Sequence, residues 1–245
     1  MHYRRIHTVI SVPVFIILYS YTSVVVLLIL IQAHLHWKKG IRVVMKTWAK
    51  SVFPLMGKRL HILGKEHIRQ NERYILLANH SSLFDIIAIM AFYPDVSWFG
   101  HERLLRIPLF KRMLLMTGYI PMKLNNYTNT RKMLEELEEK ARYKTVAIFP
   151  EGTRSLDGKI NSFYRGFVHL LRATGHQVLP VTLNGFFQLK PKNRFHIHFG
   201  SKLCVVIHPP IDSRELIHAS DRDIIQKITQ VIESATFEPK CHEAT

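Results

Sequence analysis

Between Ile6 and Trp37 the chain carries no Asp, Glu, Lys or Arg, and the 23 residues from Val9 to Ile31 are dominated by Val, Ile, Leu and Phe. As a helix this run is about 35 Å long, enough for the roughly 30 Å hydrocarbon layer of a bilayer. It exceeds the apolar core of a signal peptide and no small-x-small cleavage site follows, so residues 1–36 read as a membrane-embedded segment. Hydroxyls at Tyr19, Ser20, Tyr21, Thr22 and Ser23 interrupt the run. Two arrangements fit them, a single span and a re-entrant hairpin. Next, Ile41, Met45, Trp48 and Val52 recur at helical spacing while Arg42, Lys46 and Lys50 recur four apart on another face. This predicts a basic amphipathic helix within residues 37–57, lying at the membrane interface with Trp37 and Trp48 at headgroup depth. A surface helix packed on the rest of the protein has the same periodicity.

After Pro54 and Gly57 the pattern changes to short apolar, β-branched runs alternating with helical stretches. Strands are predicted near Arg59–Leu63, Tyr74–Ala78, Val96–Gly100, Tyr119–Met122, Thr145–Phe149, Val178–Leu183, Phe195–Phe199 and Leu203–Ile207, and helices over Leu83–Phe92, Pro108–Thr117, Asn129–Tyr143, Arg165–Thr174 and Asp221–Ala235. Gly200 and Ser201 mark a hairpin turn between the last two strands. The alternation defines an α/β domain over residues 58–236, with a mixed, largely parallel sheet flanked by helices, and a tail over 237–245.

Charge sharpens this picture. The formal net charge is +16, and ten of the 34 Lys and Arg but none of the 18 Asp and Glu precede Glu66. The basic excess thus concentrates at the membrane end, and the cluster from Lys38 to Lys50 places the following domain on the cytosolic face. Cys204 and Cys241 are the only cysteines. Such a pair fits a reducing compartment rather than a disulfide scaffold, and the two can join only if the fold brings them together.

Two segments carry candidate chemistry. Tyr74-Ile-Leu-Leu-Ala-Asn-His80-Ser-Ser-Leu-Phe-Asp85 runs from a buried strand through a turn into a helix, at the strand end where open α/β sheets bind ligands. Inside one helix an offset of five would set His80 and Asp85 about 140° apart, so His80 must precede the helix to reach Asp85. An Asp accepting one ring N–H leaves the other nitrogen as a general base. Read differently, Ser82 to Asp85 is a helix capping box with His80 merely nearby. Phe149-Pro-Glu-Gly-Thr-Arg-Ser155 also follows a strand. There Gly152 permits close backbone approach, Arg154 offers a guanidinium fork for phosphate oxygens, and Glu151 can accept from a hydroxyl.

Together these segments resemble the glycerolipid acyltransferase family that includes the bacterial-type 1-acyl-sn-glycerol-3-phosphate acyltransferases. The resemblance spans about residues 59 to 210, with four blocks in the family's order at Asn79–Asp85, Gly118–Asn125, Phe149–Arg154 and Val178–Val181. It implies His80 as base, Asp85 as its partner, and Glu151, Gly152, Thr153 and Arg154 at the acceptor. In the second block the family's usual Arg falls on Leu124, with Lys123 one position earlier. On a strand that slip turns the side chain to the opposite face, so Lys123 replaces the Arg only if the strand has ended.

The implied reaction moves a fatty acyl group from a thioester, acyl-CoA or acyl carrier protein, to 1-acyl-sn-glycerol-3-phosphate (lysophosphatidic acid), giving phosphatidic acid. The partners are then membrane lipids and the acyl carrier, with no cofactor, metal or nucleic acid. One alternative is acylation of another lysolipid. Another, of a different class, is a membrane-tethered basic module for nucleic acid or anionic lipid, which explains the charge but not the paired motifs. His196 and His198 share a face of a predicted strand, yet no third ligand has metal-site spacing. Gly-x-Ser-x-Gly, P-loop, Gly-x-Gly-x-x-Gly and His-Glu-x-x-His signatures are absent.

Overall fold

The computed structural model describes residues 2–101, 105–106, 111, 114, 118–122 and 127–236. Lys123, the predicted helix Pro108–Thr117 and the tail from residue 237 lie outside the described residues as a helix or a placed side chain. The described chain runs α1 (His2–His34), α2 (Lys38–Leu55), β1 (Leu60–Leu63), β2 (Tyr74–Ala78), α3 (Phe84–Phe92), β3 (Ser97–His101), β4 (Ile120–Met122), α4 (Tyr127–Ala141), β5 (Val146–Ile148), α5 (Gly166–Thr174), β6 (Gln177–Asn184), α6 (Phe186–Leu189), β7 (Leu203–Ile207) and α7 (Asp221–Glu233).

The strands form a seven-stranded sheet in the order β1-β7-β6-β2-β5-β3-β4. Every neighbouring pair is parallel except β6 and β7, which are antiparallel. β2 is buried throughout, as a central strand covered on both faces must be. Its side chains alternate: Tyr74, Leu76 and Ala78 join a core with α2 and α3, while Ile75 and Leu77 join a second core with α4, α5 and α7. This two-sided layering puts the loop after β2 at the C-terminal ends of the central strands.

Phe195–Phe199 is not a strand, which corrects the sequence reading. Its backbone donors go elsewhere: Ile197 N donates to Ser11 Oγ on α1 at 2.8 Å, and His198 N to the Leu189 carbonyl at 2.9 Å. The alternating apolar residues serve α1, whose Phe15 ring lies 5.3 Å from that of Phe195. Gly200 and Ser201 therefore close no strand-to-strand hairpin. His196 and His198 share no strand face either; both stack on His7 of α1, with ring centroids 6.2 and 5.0 Å away.

α1 is continuous through its hydroxyl cluster, and the hydroxyls bind α2 rather than marking a turn. Tyr21 Oη lies 2.8 Å from Ser51 Oγ, and Trp48 Nε1 donates to Thr22 Oγ1 at 3.2 Å. The helix is long and apolar enough to cross a membrane. It does not project alone, however. His7, Ser11, Leu18, Val25 and Ile29 form a buried seam against the rest of the molecule, while Val9, Ile16, Tyr19, Val24 and Leu27 remain exposed on the outside. α2 uses its apolar face in the same way, burying Met45, Ala49, Val52 and Phe53, so its periodicity comes from packing on α1 and α3.

Candidate active site

Asn79 ends β2 by continuing its ladder with a side chain: Oδ1 accepts from Leu183 N at 2.8 Å and Nδ2 donates to the Leu183 carbonyl at 3.1 Å. The chain then turns at His80 before α3 begins. His80 Nδ1 lies 2.9 Å from Asp85 Oδ2, and the same oxygen accepts from Ser81 N and Ser82 N at 2.7 and 2.8 Å. The capping and catalytic readings thus coincide, since Asp85 satisfies the helix-start amides and orients the imidazole at once. Asp85 is fully buried. With Nδ1–H given to the carboxylate, Nε2 carries the lone pair.

The second motif locks onto the first through the His80 main chain. Glu151 Oε1 accepts from His80 N at 2.7 Å, and Ser155 N donates to the His80 carbonyl at 2.8 Å. The other carboxylate oxygen of Glu151 accepts from Asn161 N at 2.9 Å. Both oxygens are therefore engaged by backbone amides, which makes Glu151 a buried bracket between the two loops. Phe149 stacks on the imidazole with ring centroids 3.9 Å apart, and Trp98 stacks behind Phe149 at 5.6 Å. This apolar wall fixes the ring plane.

Burial pushes the Glu151 carboxyl up to about 7, with the charge of Asp85 adding and the amides of Asn161 and His80 opposing. A folded pKa above the unfolded value means stability that is complete below about 4.5 and lost as pH rises through about 7. Glu151→Gln keeps one acceptor oxygen and leaves one amide unmatched, which costs about 1–3 kcal/mol. The melting temperature of the variant should fall below wild type, and the gap should narrow as pH rises from 5 to 8. Turnover should also fall, by up to about 10²-fold, through misplacement of His80. A gap independent of pH would show that Glu151 does not titrate in this window.

Arg154 lies at the rim with Thr153, and with Leu156, Asp157, Asn161 and Lys192 it lines a cleft of about 370 Å³. Gly152 has φ +67° and a Cβ there would meet the Tyr164 ring at 3.0 Å, so the turn requires glycine. Arg154 makes no ion pair among the described residues. Burial lowers its pKa and Asp85 partly offsets this. Lys190 is lowered too, by burial first and then by the charges of Arg154 and Arg194. Its carbonyl accepts from Ser82 Oγ at 2.7 Å, tying this segment to the His80 loop. Lys190 and Lys192 carry no motif, and only the tertiary fold brings them to Arg154. Arg165 is exposed at the start of α5 and does not line the cleft. Among the described residues no three His, Cys, Asp or Glu side chains form a metal-holding group.

The arrangement defines a class: an α/β domain with a His–Asp pair after a strand end, beside a cleft lined by Arg154 and Lys192, backed by an apolar helical layer. Residues 59–184 match the Acyltransferase family, and the chain belongs to that family. The 1-acyl-sn-glycerol-3-phosphate acyltransferase of Borreliella burgdorferi is 30% identical over 181 residues, covering 71% of this chain and 70% of that protein. The chloroplastic 1-acyl-sn-glycerol-3-phosphate acyltransferase of Arabidopsis thaliana is 29% identical over 185 residues, covering 74% of this chain. This chain spans about half the length of that plant relative. The crystal structure of the 1-acyl-sn-glycerophosphate (LPA) acyltransferase from Thermotoga maritima superposes with a TM-score of 0.83 at 25% identity, over 96% of this chain and 98% of that one.

Proposed function

We propose that the protein transfers a fatty acyl group from a thioester, acyl-CoA or acyl carrier protein, to the free hydroxyl of 1-acyl-sn-glycerol-3-phosphate, forming phosphatidic acid. The observation that carries this reading is the Nδ1–Asp85 bond of His80, which frees Nε2 for base catalysis beside the Arg154 cleft. The acceptor hydroxyl loses its proton to Nε2 as its oxygen attacks the thioester carbonyl, and the imidazolium returns the proton to the departing thiolate. Arg154, aided by Lys190 and Lys192, holds the phosphate, and Gly152 and Thr153 shape the turn beneath it. Asp85 stabilises the imidazolium, and no cofactor enters beyond the acyl carrier. Transfer of labelled acyl groups by purified protein to a panel of lysolipids tests the assignment. Preference for a phosphate-free acceptor would overturn it.

Transfer is direct in this reading. Cys204 is buried in β7 and is not a free thiol, and no serine occupies a nucleophile elbow. Donor alone should leave no acyl adduct on the protein, and Cys204→Ser combined with Cys241→Ser should stay active. A stoichiometric adduct discharged by lysolipid would establish a two-step route instead.

The exposed apolar side of α1 supports attachment to the cytosolic membrane face, where the acceptor dissolves. Truncation before Gly57 is a poor test, because it strips Phe53 and Val52 from the core. The triple change Val9→Asp, Ile16→Asp and Leu27→Asp alters only exposed positions. Each charge carried into lipid costs about 2.5–3.5 kcal/mol, so sedimentation with vesicles should be largely lost while the melting temperature holds. Full sedimentation of that variant would place the main anchor elsewhere.

A further inference from the structure

A second concavity, larger than the Arg154 cleft, lies along the sheet edge formed by β1. It encloses about 860 Å³ between α2, β1 and the end of α3. Among the described strands β1 pairs only with β7. In the order β1-β7-β6-β2, three strand spacings separate it from the strand that leads into His80, or about 14 Å. None of its lining residues belongs to the catalytic motifs or to the Arg154 cleft.

The lining has two parts of opposite character. Phe53, Leu60, Ile62 and Phe92 supply an apolar floor, and Lys46, Lys50, Arg59 and Lys65 are exposed cations around it. Among the described residues no acidic one lines the groove. None of these four cations makes an ion pair among the described residues. Arg42, one turn earlier on the same basic stripe of α2, contrasts with them by pairing with Asp95 at 3.0 Å. The groove therefore concentrates uncompensated positive charge over half-exposed hydrocarbon, a combination that bulk solvent satisfies poorly and an anionic amphiphile satisfies at both ends.

We propose that this groove is a binding site for an anionic membrane phospholipid, separate from the catalytic centre, with the headgroup phosphate among Lys46, Lys50, Arg59 and Lys65 and an acyl chain along β1. A volume under 1,000 Å³ in a concave site is the scale of a small ligand, whereas a protein partner needs roughly 800 Å² of matching surface. α2 forms the wall and also carries α1 on its other side, so a lipid in the groove belongs to the leaflet that α1 contacts. That last step rests on the proposed membrane attachment. The charge and shape of the groove do not.

The test uses the full chain with phosphatidylcholine vesicles, with and without phosphatidylglycerol. Lys50→Gln with Arg59→Gln should lower partition onto the anionic vesicles about tenfold or more and leave neutral vesicles unaffected. The charge-matched pair Arg142→Gln with Arg222→Gln, both exposed and away from the groove, should change it by no more than about twofold. A photoactivatable phosphatidylglycerol should cross-link within residues 46–68, and inorganic phosphate should not displace it because phosphate leaves the apolar floor empty. Equal losses in the two double variants would reduce the effect to diffuse surface charge and overturn the site. Displacement by inorganic phosphate would make it a free-anion site and overturn the lipid. If wild type fails to bind neutral vesicles, the α1 attachment falls, and the cross-link alone then decides the groove.

Discussion

Replacing His80 with alanine is expected to lower turnover by about 10² to 10⁴, the usual effect of losing a general base. Acceptor binding should survive, because the cations proposed to hold the phosphate stand on other segments. The geometry makes the result interpretable. His80 is held by its main chain, through Glu151 Oε1 and Ser155 N, so truncating the ring leaves both brackets in place. Asp85→Asn is the companion measurement. An amide oxygen in the place of Oδ2 can still accept, more weakly than a carboxylate, whereas an NH₂ there would face three donors, and the neutral group no longer stabilises an imidazolium. Its kcat should drop without a matching rise in acceptor KM. Normal turnover by folded His80→Ala would remove the base from the mechanism and with it the main support for direct acyl transfer.

Arg154→Lys is expected to raise the acceptor KM by about tenfold or more while kcat changes less, since charged hydrogen bonds contribute about 1.5–3 kcal/mol each and a lysine keeps the charge but loses the fork. Arg154 has no ion-pair partner among the described residues, so the substitution breaks no structural bridge and the melting temperature should hold. Arg154→Ala should be worse, with a partial contribution remaining from Lys190 and Lys192. Adding Lys192→Gln to Arg154→Lys should therefore raise KM further, as expected for residues sharing one anion. An unchanged KM in folded Arg154→Lys would take the phosphate away from this cleft.

The elements legible in the sequence are those fixed by local rules. β2 reads as a buried strand because it is uninterrupted apolar sequence, and α3 starts where Ser82 and Asp85 supply helix-start acceptors. The five-residue offset from His80 to Asp85 by itself required a turn before the helix, and the structure has that turn. The strand after Gly57, the α/β alternation and the position of both motifs at strand ends follow from the same periodicities.

Other features depended on partners distant in sequence. Phe195–Phe199 has strand periodicity, but its donors bind Ser11 and Leu189, so it never enters the sheet. The hydroxyls of Tyr21 and Thr22 look like a break in an apolar run until Ser51 and Trp48 are placed beside them. Glu151 resembles a substrate contact in sequence; only the fold shows both its oxygens on backbone amides. Lys192 lines the Arg154 cleft on a segment that Ser82 ties to the His80 loop through the Lys190 carbonyl, a contact across more than a hundred residues. The sequence by itself determined most of the strands and helices and the pairing of His80 with Asp85, since short-range sterics and hydrogen bonding set those within a few residues. Which side chains share a cleft, and which apolar face is spent on packing or left exposed, was decided by tertiary structure, because those outcomes depend on contacts between segments tens to hundreds of residues apart.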